Sequence, residues 1–93
     1  MKEKVAEVLQ HEANAILDIP VDDSFESAIE VIHRQVHQKG GKLVSSGMGK
    51  AGEIAQNIST TFSSTGTPAV FLHPAEAQHG DLGVIQPDDV LLL

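Results

Sequence analysis

Apolar residues recur at three- and four-residue steps in the first part of the chain. Val5, Val8, Leu9, Ala13, Ile16 and Leu17 share one stripe of an amphipathic helix, which must stop before Pro20. A second stripe, Phe25, Ala28, Ile29, Ile32 and Val36, starts after a capping pattern of Asp23 and Glu26 and ends before Gly40-Gly41. The period then changes. Leu43-Val44-Ser45-Ser46 is short, partly β-branched and bounded by glycines, which predicts a buried strand. Ala51, Ile54, Ala55, Ile58 and Phe62 predict a third helix that contains the Ser/Thr run from Ser59 to Thr65, with Gly66-Thr67-Pro68 as its stop. Ala69-Val70-Phe71-Leu72 reads as a second strand, so residues 42–72 make a βαβ unit with parallel strands and a right-handed crossover.

After a polar segment from His73 to Asp89, Val90-Leu91-Leu92-Leu93 predicts a third strand buried on both faces. A parallel strand this apolar needs a helix after it, so the sequence reads as cut short there. The expected class is α/β: a helical segment over residues 1–39, then a βαβ unit and third strand over 42–93, with helices on both faces of a parallel sheet.

Composition narrows the partners. The 93 residues are 41% hydrophobic, enough for one small core and no more. Thirteen acidic residues against six basic ones give a formal charge of −7, which disfavours nucleic acid and anionic membranes. The absence of cysteine removes disulfides and thiolate metal sites, and no segment resembles a signal peptide or a membrane span. A cytoplasmic protein is expected.

Two segments carry candidate chemistry. Gly47-x-Gly49-x-x-Gly52 sits between a strand and a helix, where glycines let backbone N–H groups approach an anion and Lys50 adds a mobile charge. The dinucleotide reading lacks an acidic residue at the end of the second strand, where Leu72-His73 stands. A nucleotide-hydrolysing P-loop fails at Val44 and Ala51. The same glycines also suit a plain tight turn with Lys50 solvated. The second segment, His73 to Asp81, packs His73, Glu76, His79 and Asp81 into nine residues beyond a strand end, where ligands of open α/β sheets gather. One helical turn would put His73, Glu76 and His79 on one face as acid–base groups. Zinc ligation and simple loop hydrogen bonding are the competing readings, because spacing alone does not make ligands converge. His33 and His37 belong to the surface of the second helix, and His11-Glu12 lacks the second histidine of a zinc-protease motif.

Taken together, Gly47-Met48-Gly49-Lys50-Ala51-Gly52, Ser64-Thr65-Gly66-Thr67-Pro68 and His73-Pro74-x-Glu76-Ala77-x-His79-Gly80-Asp81-Leu82-Gly83 resemble the sugar-isomerase (SIS) domain family of the arabinose-5-phosphate isomerase type. The resemblance implies a three-layer, flavodoxin-like fold of which residues 1–93 are the N-terminal part. It implies interconversion of D-arabinose 5-phosphate and D-ribulose 5-phosphate through a cis-enediol, in the synthesis of Kdo for lipopolysaccharide or capsule, without an organic cofactor or a metal. Lys50 and His79 match catalytic positions. Ser46, Gly47, Gly49, Gly52, His73, Glu76 and Asp81 are the implied substrate-binding residues.

Two positions depart from the family pattern: Ala51 stands where serine is common and Glu53 where histidine is common. Relatives continue into a Ser-rich loop, a glutamate-bearing helix and a later histidine, and many append CBS domains. The implied partners are a phosphorylated pentose, a nucleotide-sugar feedback inhibitor in the same pocket, and further copies of the chain in a dimer or tetramer. The alternative is a non-catalytic phosphosugar sensor. Neither N-terminal helix has the basic face of a DNA-binding recognition helix, which favours the enzyme.

Overall fold

The computed structural model describes residues 1–93. Helix α1 (Lys2–Leu17) ends at Asp18, ahead of Pro20, and buries none of its residues. Helix α2 spans Asp23–Ile32. Its cap is Asp22 rather than the expected Asp23: extended backbone at Asp22 lets its carboxylate accept the Ser24 N–H at 2.9 Å, satisfying a donor that the helix leaves free. That contact holds the Asp22 carboxyl below its ordinary pKa, with hydrogen bonds from the Ser24 hydroxyl and N–H as the main causes.

Beyond Ile32 the helix widens into a π-helical turn, His33–Gln38, which buries Val36. Gly40 and Gly41 then close it by donating to the Val36 and Gln35 carbonyls. His33 and His37 stay exposed, and His37 meets the Thr67 hydroxyl at 2.9 Å, linking this turn to the start of the second strand.

The sheet has three parallel strands in the order β2-β1-β3: β1 (Leu43–Ser45), β2 (Ala69–Phe71) and β3 (Val90–Leu92). Leu43 pairs with Ala69 on one side and Val90 on the other. Successive side chains of β1 point to opposite faces, yet Leu43, Val44 and Ser45 are each at most 1% exposed, so both faces of the central strand are covered. The α/β class and the parallel sheet agree with the sequence reading.

Helix α3 (Gly49–Ser64) packs on β1 and β2 with only part of the expected stripe: Ala55 is buried and Ile58 and Phe62 are half-buried, but Ala51 and Ile54 are not. Its buried residues are Gly52, Ala55 and Ser59, while Ile54 is 60% exposed. Small residues let the helix sit close to the strand. Ser45 uses that proximity, donating to the Ala55 carbonyl at 2.7 Å and sharing a hydrogen bond with Ser59, so neither buried hydroxyl lacks a partner.

Strand β3 is an edge strand, and Leu91 and Leu92 remain 48% and 41% exposed, unlike the doubly buried strand expected. Its register is fixed at the amino end. Asp89 accepts the Lys42 N–H at 3.0 Å, the Lys42 ammonium at 2.7 Å and the Gln86 N–H at 2.8 Å. The radius of gyration, 16.8 Å, exceeds the roughly 12 Å of a compact chain of this length because α1 projects from the body.

Candidate functional site at the carboxyl edge of the sheet

Strands β1 and β2 run parallel with Ser45 beside Phe71, so the segments that follow them leave the sheet at the same edge. One is Ser46 to Lys50 and the other starts at Leu72. They are stitched together immediately. The Leu72 N–H donates to the Ser45 carbonyl at 2.8 Å, and the Ser46 hydroxyl donates to the Leu72 carbonyl at 2.5 Å. The Ser46 N–H donates to Leu92, tying in β3.

The loop glycines do different work. A Cβ on Gly52 would lie 2.4 Å from the Gly47 carbonyl oxygen, and one on Gly47 would lie 2.9 Å from the Ala51 carbonyl carbon. These two permit the loop to fold against the first turn of α3. Gly49 has open space around it and instead supplies a left-handed φ of 59°. The Gly52 N–H is taken by the Met48 carbonyl, whereas the N–H groups of Gly49, Lys50 and Ala51 find no acceptor in the chain. No side chain caps this helix. Free donors, the helix dipole and the exposed, unpaired Lys50 make the place suited to an anion.

The second segment forms helix α4 (Pro74–Gln78) followed by a 3-10 turn, Asp81–Val84. Proline at the first helical position, where no N–H is needed, starts α4. His73 is its N-cap: Nδ1 accepts the Ala75 N–H at 3.1 Å, which places the proton of the neutral ring on Nε2. Glu76 lies in the first turn. His79 follows the last turn with its N–H on the Glu76 carbonyl, and Gly80, at φ 121°, redirects the chain to Asp81.

His73, Glu76, His79 and Asp81 are all exposed. His73 commits its Nδ1 to the Ala75 N–H of its own helix. No hydrogen bond or ion pair joins Lys50, Glu76, His79 and Asp81 to one another, and no group of three or more histidines and carboxylates could hold a metal ion.

Phe71 joins the two segments, a role its strand pattern did not reveal. Its ring lies 3.8 Å from where a Gly52 Cβ would stand and meets the His73 ring edge-on, centroids 6.3 Å apart. The sequence reading ran that strand on to Leu72 and gave Phe71 no role, whereas the strand ends at Phe71. Two concavities open at this edge: one of about 290 Å³ touching Ser46, Gly47 and Ala51, the other of about 540 Å³ touching Leu72, Gly80 and Asp81. A larger hollow of about 660 Å³ lies between α3 and β2, along Ser59, Ser63 and Val70. It contains none of the candidate residues.

A parallel α/β sheet with a cationic, donor-rich loop after β1 and a histidine–carboxylate segment after β2 has the layout of an open-sheet α/β domain, in which ligands gather beyond the strand ends. The family model of the SIS domain matches residues 35–93, and the chain belongs to the SIS domain family. Arabinose 5-phosphate isomerase KdsD of Yersinia pestis is 50% identical over 84 residues, covering 90% of this chain and 24% of that protein. A Bacteroides fragilis protein assigned as a phosphosugar isomerase involved in capsule formation superposes with a TM-score of 0.97 at 64% identity, covering 100% of this chain and 48% of its own. Escherichia coli CFT073 c3406, solved in complex with arabinose 5-phosphate, superposes with a TM-score of 0.75 at 35% identity, covering 98% of this chain and 50% of its own. The chain therefore spans about a quarter of the curated relative and about half of each solved chain.

Proposed function

We propose that residues 1–93 are the N-terminal part of a SIS domain in a phosphosugar isomerase that interconverts D-arabinose 5-phosphate and D-ribulose 5-phosphate. The observation that carries this reading is the juxtaposition at one sheet edge of a cationic, donor-rich loop and a histidine–carboxylate segment. The likeness to the Yersinia pestis isomerase and to the sugar-phosphate complex of c3406 supports the substrate class.

Aldose–ketose isomerisation opens the sugar ring, removes the C2 proton, passes through a cis-enediol and returns a proton to C1. His79 is the candidate proton carrier. Lys50 is suited to stabilise the oxyanion that develops during transfer, with the free N–H groups of α3 beside it. Gly47, Gly49 and Gly52 shape the loop, while Ser46, His73, Glu76 and Asp81 surround the sugar phosphate. The remaining catalytic groups belong to sequence outside these residues.

The Bacteroides fragilis likeness, with its capsule role, supports a place in Kdo synthesis for lipopolysaccharide or capsule. In this reading the protein works in the cytoplasm as a homo-oligomer, and the nucleotide-sugar end product competes for the same pocket. No helix is long and apolar enough to cross a membrane. A coupled isomerase assay on the full-length protein tests the proposal: turnover of arabinose 5-phosphate, abolished in Lys50→Ala and His79→Ala with folding intact, is expected. Tight sugar-phosphate binding without turnover would support a phosphosugar sensor instead.

A further inference from the structure

Strand β1 gives way to the glycine loop at Ser46, and a side chain there takes over from the backbone. In a parallel ladder the donors of one strand advance by two residues. Leu43 N–H donates to the Pro68 carbonyl, so the same register would bring Gly47 N–H to the Leu72 carbonyl. The chain has by then turned toward α3, and Gly47 N–H finds no acceptor in the chain. The Ser46 hydroxyl stands in for it, donating to the Leu72 carbonyl at 2.5 Å.

This substitution of one donor for another has two effects. It satisfies the carbonyl of Leu72, a residue only 8% exposed that immediately precedes His73. It also leaves Gly47 N–H free, alongside those of Gly49, Lys50 and Ala51. The peptide between Ser45 and Ser46 completes the junction, accepting the Leu72 N–H at 2.8 Å and donating to the Leu92 carbonyl at 3.0 Å, so the ends of all three strands meet at Ser46. A hydroxyl has a single hydrogen, and this one is given to a carbonyl rather than to a ligand.

We infer that Ser46 is a positioning residue, whose hydroxyl sets the glycine loop with Lys50 against the segment that carries His73 and His79. This role rests on the isomerase reading for what the two segments do together, and it alters one part of that reading: Ser46 acts through Lys50 and His79, not by donating to the sugar phosphate. Without the hydroxyl, the Leu72 carbonyl either stays unanswered or draws Gly47 N–H into an extended ladder. Both shift Lys50 relative to His79. Misalignment of two groups that act on one transition state lowers kcat more than it weakens binding of the ground state.

Steady-state kinetics and amide hydrogen exchange of the full-length protein test this. Ser46→Ala should lower kcat by roughly tenfold to a hundredfold with KM changed by less than about twofold. It should also speed exchange of the Leu72 N–H by about tenfold, with unchanged far-UV circular dichroism. Ser46→Thr, which keeps the hydroxyl, should restore both. A raised KM at unchanged kcat in Ser46→Ala, the mark of direct substrate contact, would overturn the role, as would unchanged Leu72 exchange or a threonine variant no better than alanine. A wild type without turnover would instead remove the isomerase reading, and the exchange measurement alone would then decide whether the Ser46 hydroxyl holds the Leu72 carbonyl.

Discussion

Replacing Asp89 probes the contact that holds β3 beside β1. The side chain is 3% exposed and accepts from three donors, the Lys42 ammonium and the N–H groups of Lys42 and Gln86. Asp89→Ala leaves all three unanswered and strands the Lys42 ammonium, which is itself 21% exposed. Removing one partner of a buried pair costs about 3–5 kcal/mol. Asp89→Asn keeps one acceptor oxygen for the Lys42 N–H but offers an amide to Gln86, so about 1–3 kcal/mol is expected.

The effect depends on pH. Burial opposes ionisation of Asp89, but hydrogen bonds from the Lys42 side chain and the Gln86 and Lys42 N–H groups, with the Lys42 charge, outweigh it and hold the carboxyl below 3.8. A depressed carboxyl contributes its stability fully above the unfolded value and loses it as pH falls through the folded value. The gap between wild type and Asp89→Asn should therefore be constant near pH 7 and shrink below about pH 4. Urea unfolding followed by circular dichroism measures it, since the chain has no Trp or Tyr for fluorescence. A gap under about 0.5 kcal/mol at pH 7, or one unchanged down to pH 3, would refute the reasoning.

Gly52→Ala places a Cβ 2.4 Å from the Gly47 carbonyl; overpacking of about 1–3 kcal/mol outweighs a helix-propensity gain of about 1 kcal/mol, and urea unfolding should show a net loss. Phe71→Ala, at a half-buried ring, should cost about 2 kcal/mol by the same assay and, on the proposed function, raise the KM of the full-length protein by separating the glycine loop from His73. Lys50→Ala should leave stability within about 0.5 kcal/mol, because Lys50 is exposed and unpaired, while abolishing turnover.

Where an element is specified by its own period, the sequence was enough to find it. The continuous apolar runs Leu43-Val44 and Val90 to Leu92, with the glycine loop between strand and helix, already indicated a parallel α/β sheet. Features set by distant or atomic contacts stayed hidden. Lys42 and Asp89 lie 47 residues apart, and nothing local marks them as partners.

The apolar stripe of α3 matches its buried face only in part, through Ala55 with half-buried Ile58 and Phe62, for a physical reason. Large apolar residues signal a core stripe, but a helix pressed close to a strand buries Gly52, Ala55 and Ser59 and leaves Ile54 outside. The cap at Asp22 instead of Asp23 turned on one extended residue, and the π-helical turn at His33–Gln38 has no composition of its own. At the site, both candidate segments were legible as motifs. Their meeting across Phe71, and the commitment of His73 Nδ1 to a backbone N–H, are atomic contacts that no residue pattern marks.

The most direct test of the central claim is conversion of arabinose 5-phosphate by the full-length protein, followed by NMR of the sugar phosphate in heavy water. Ribulose 5-phosphate should form, deuterium should enter at the carbon receiving the proton, and Lys50→Ala and His79→Ala, still folded, should form none. A folded wild-type protein that neither converts nor binds arabinose 5-phosphate, or a Lys50→Ala variant that turns over at the wild-type rate, would contradict it.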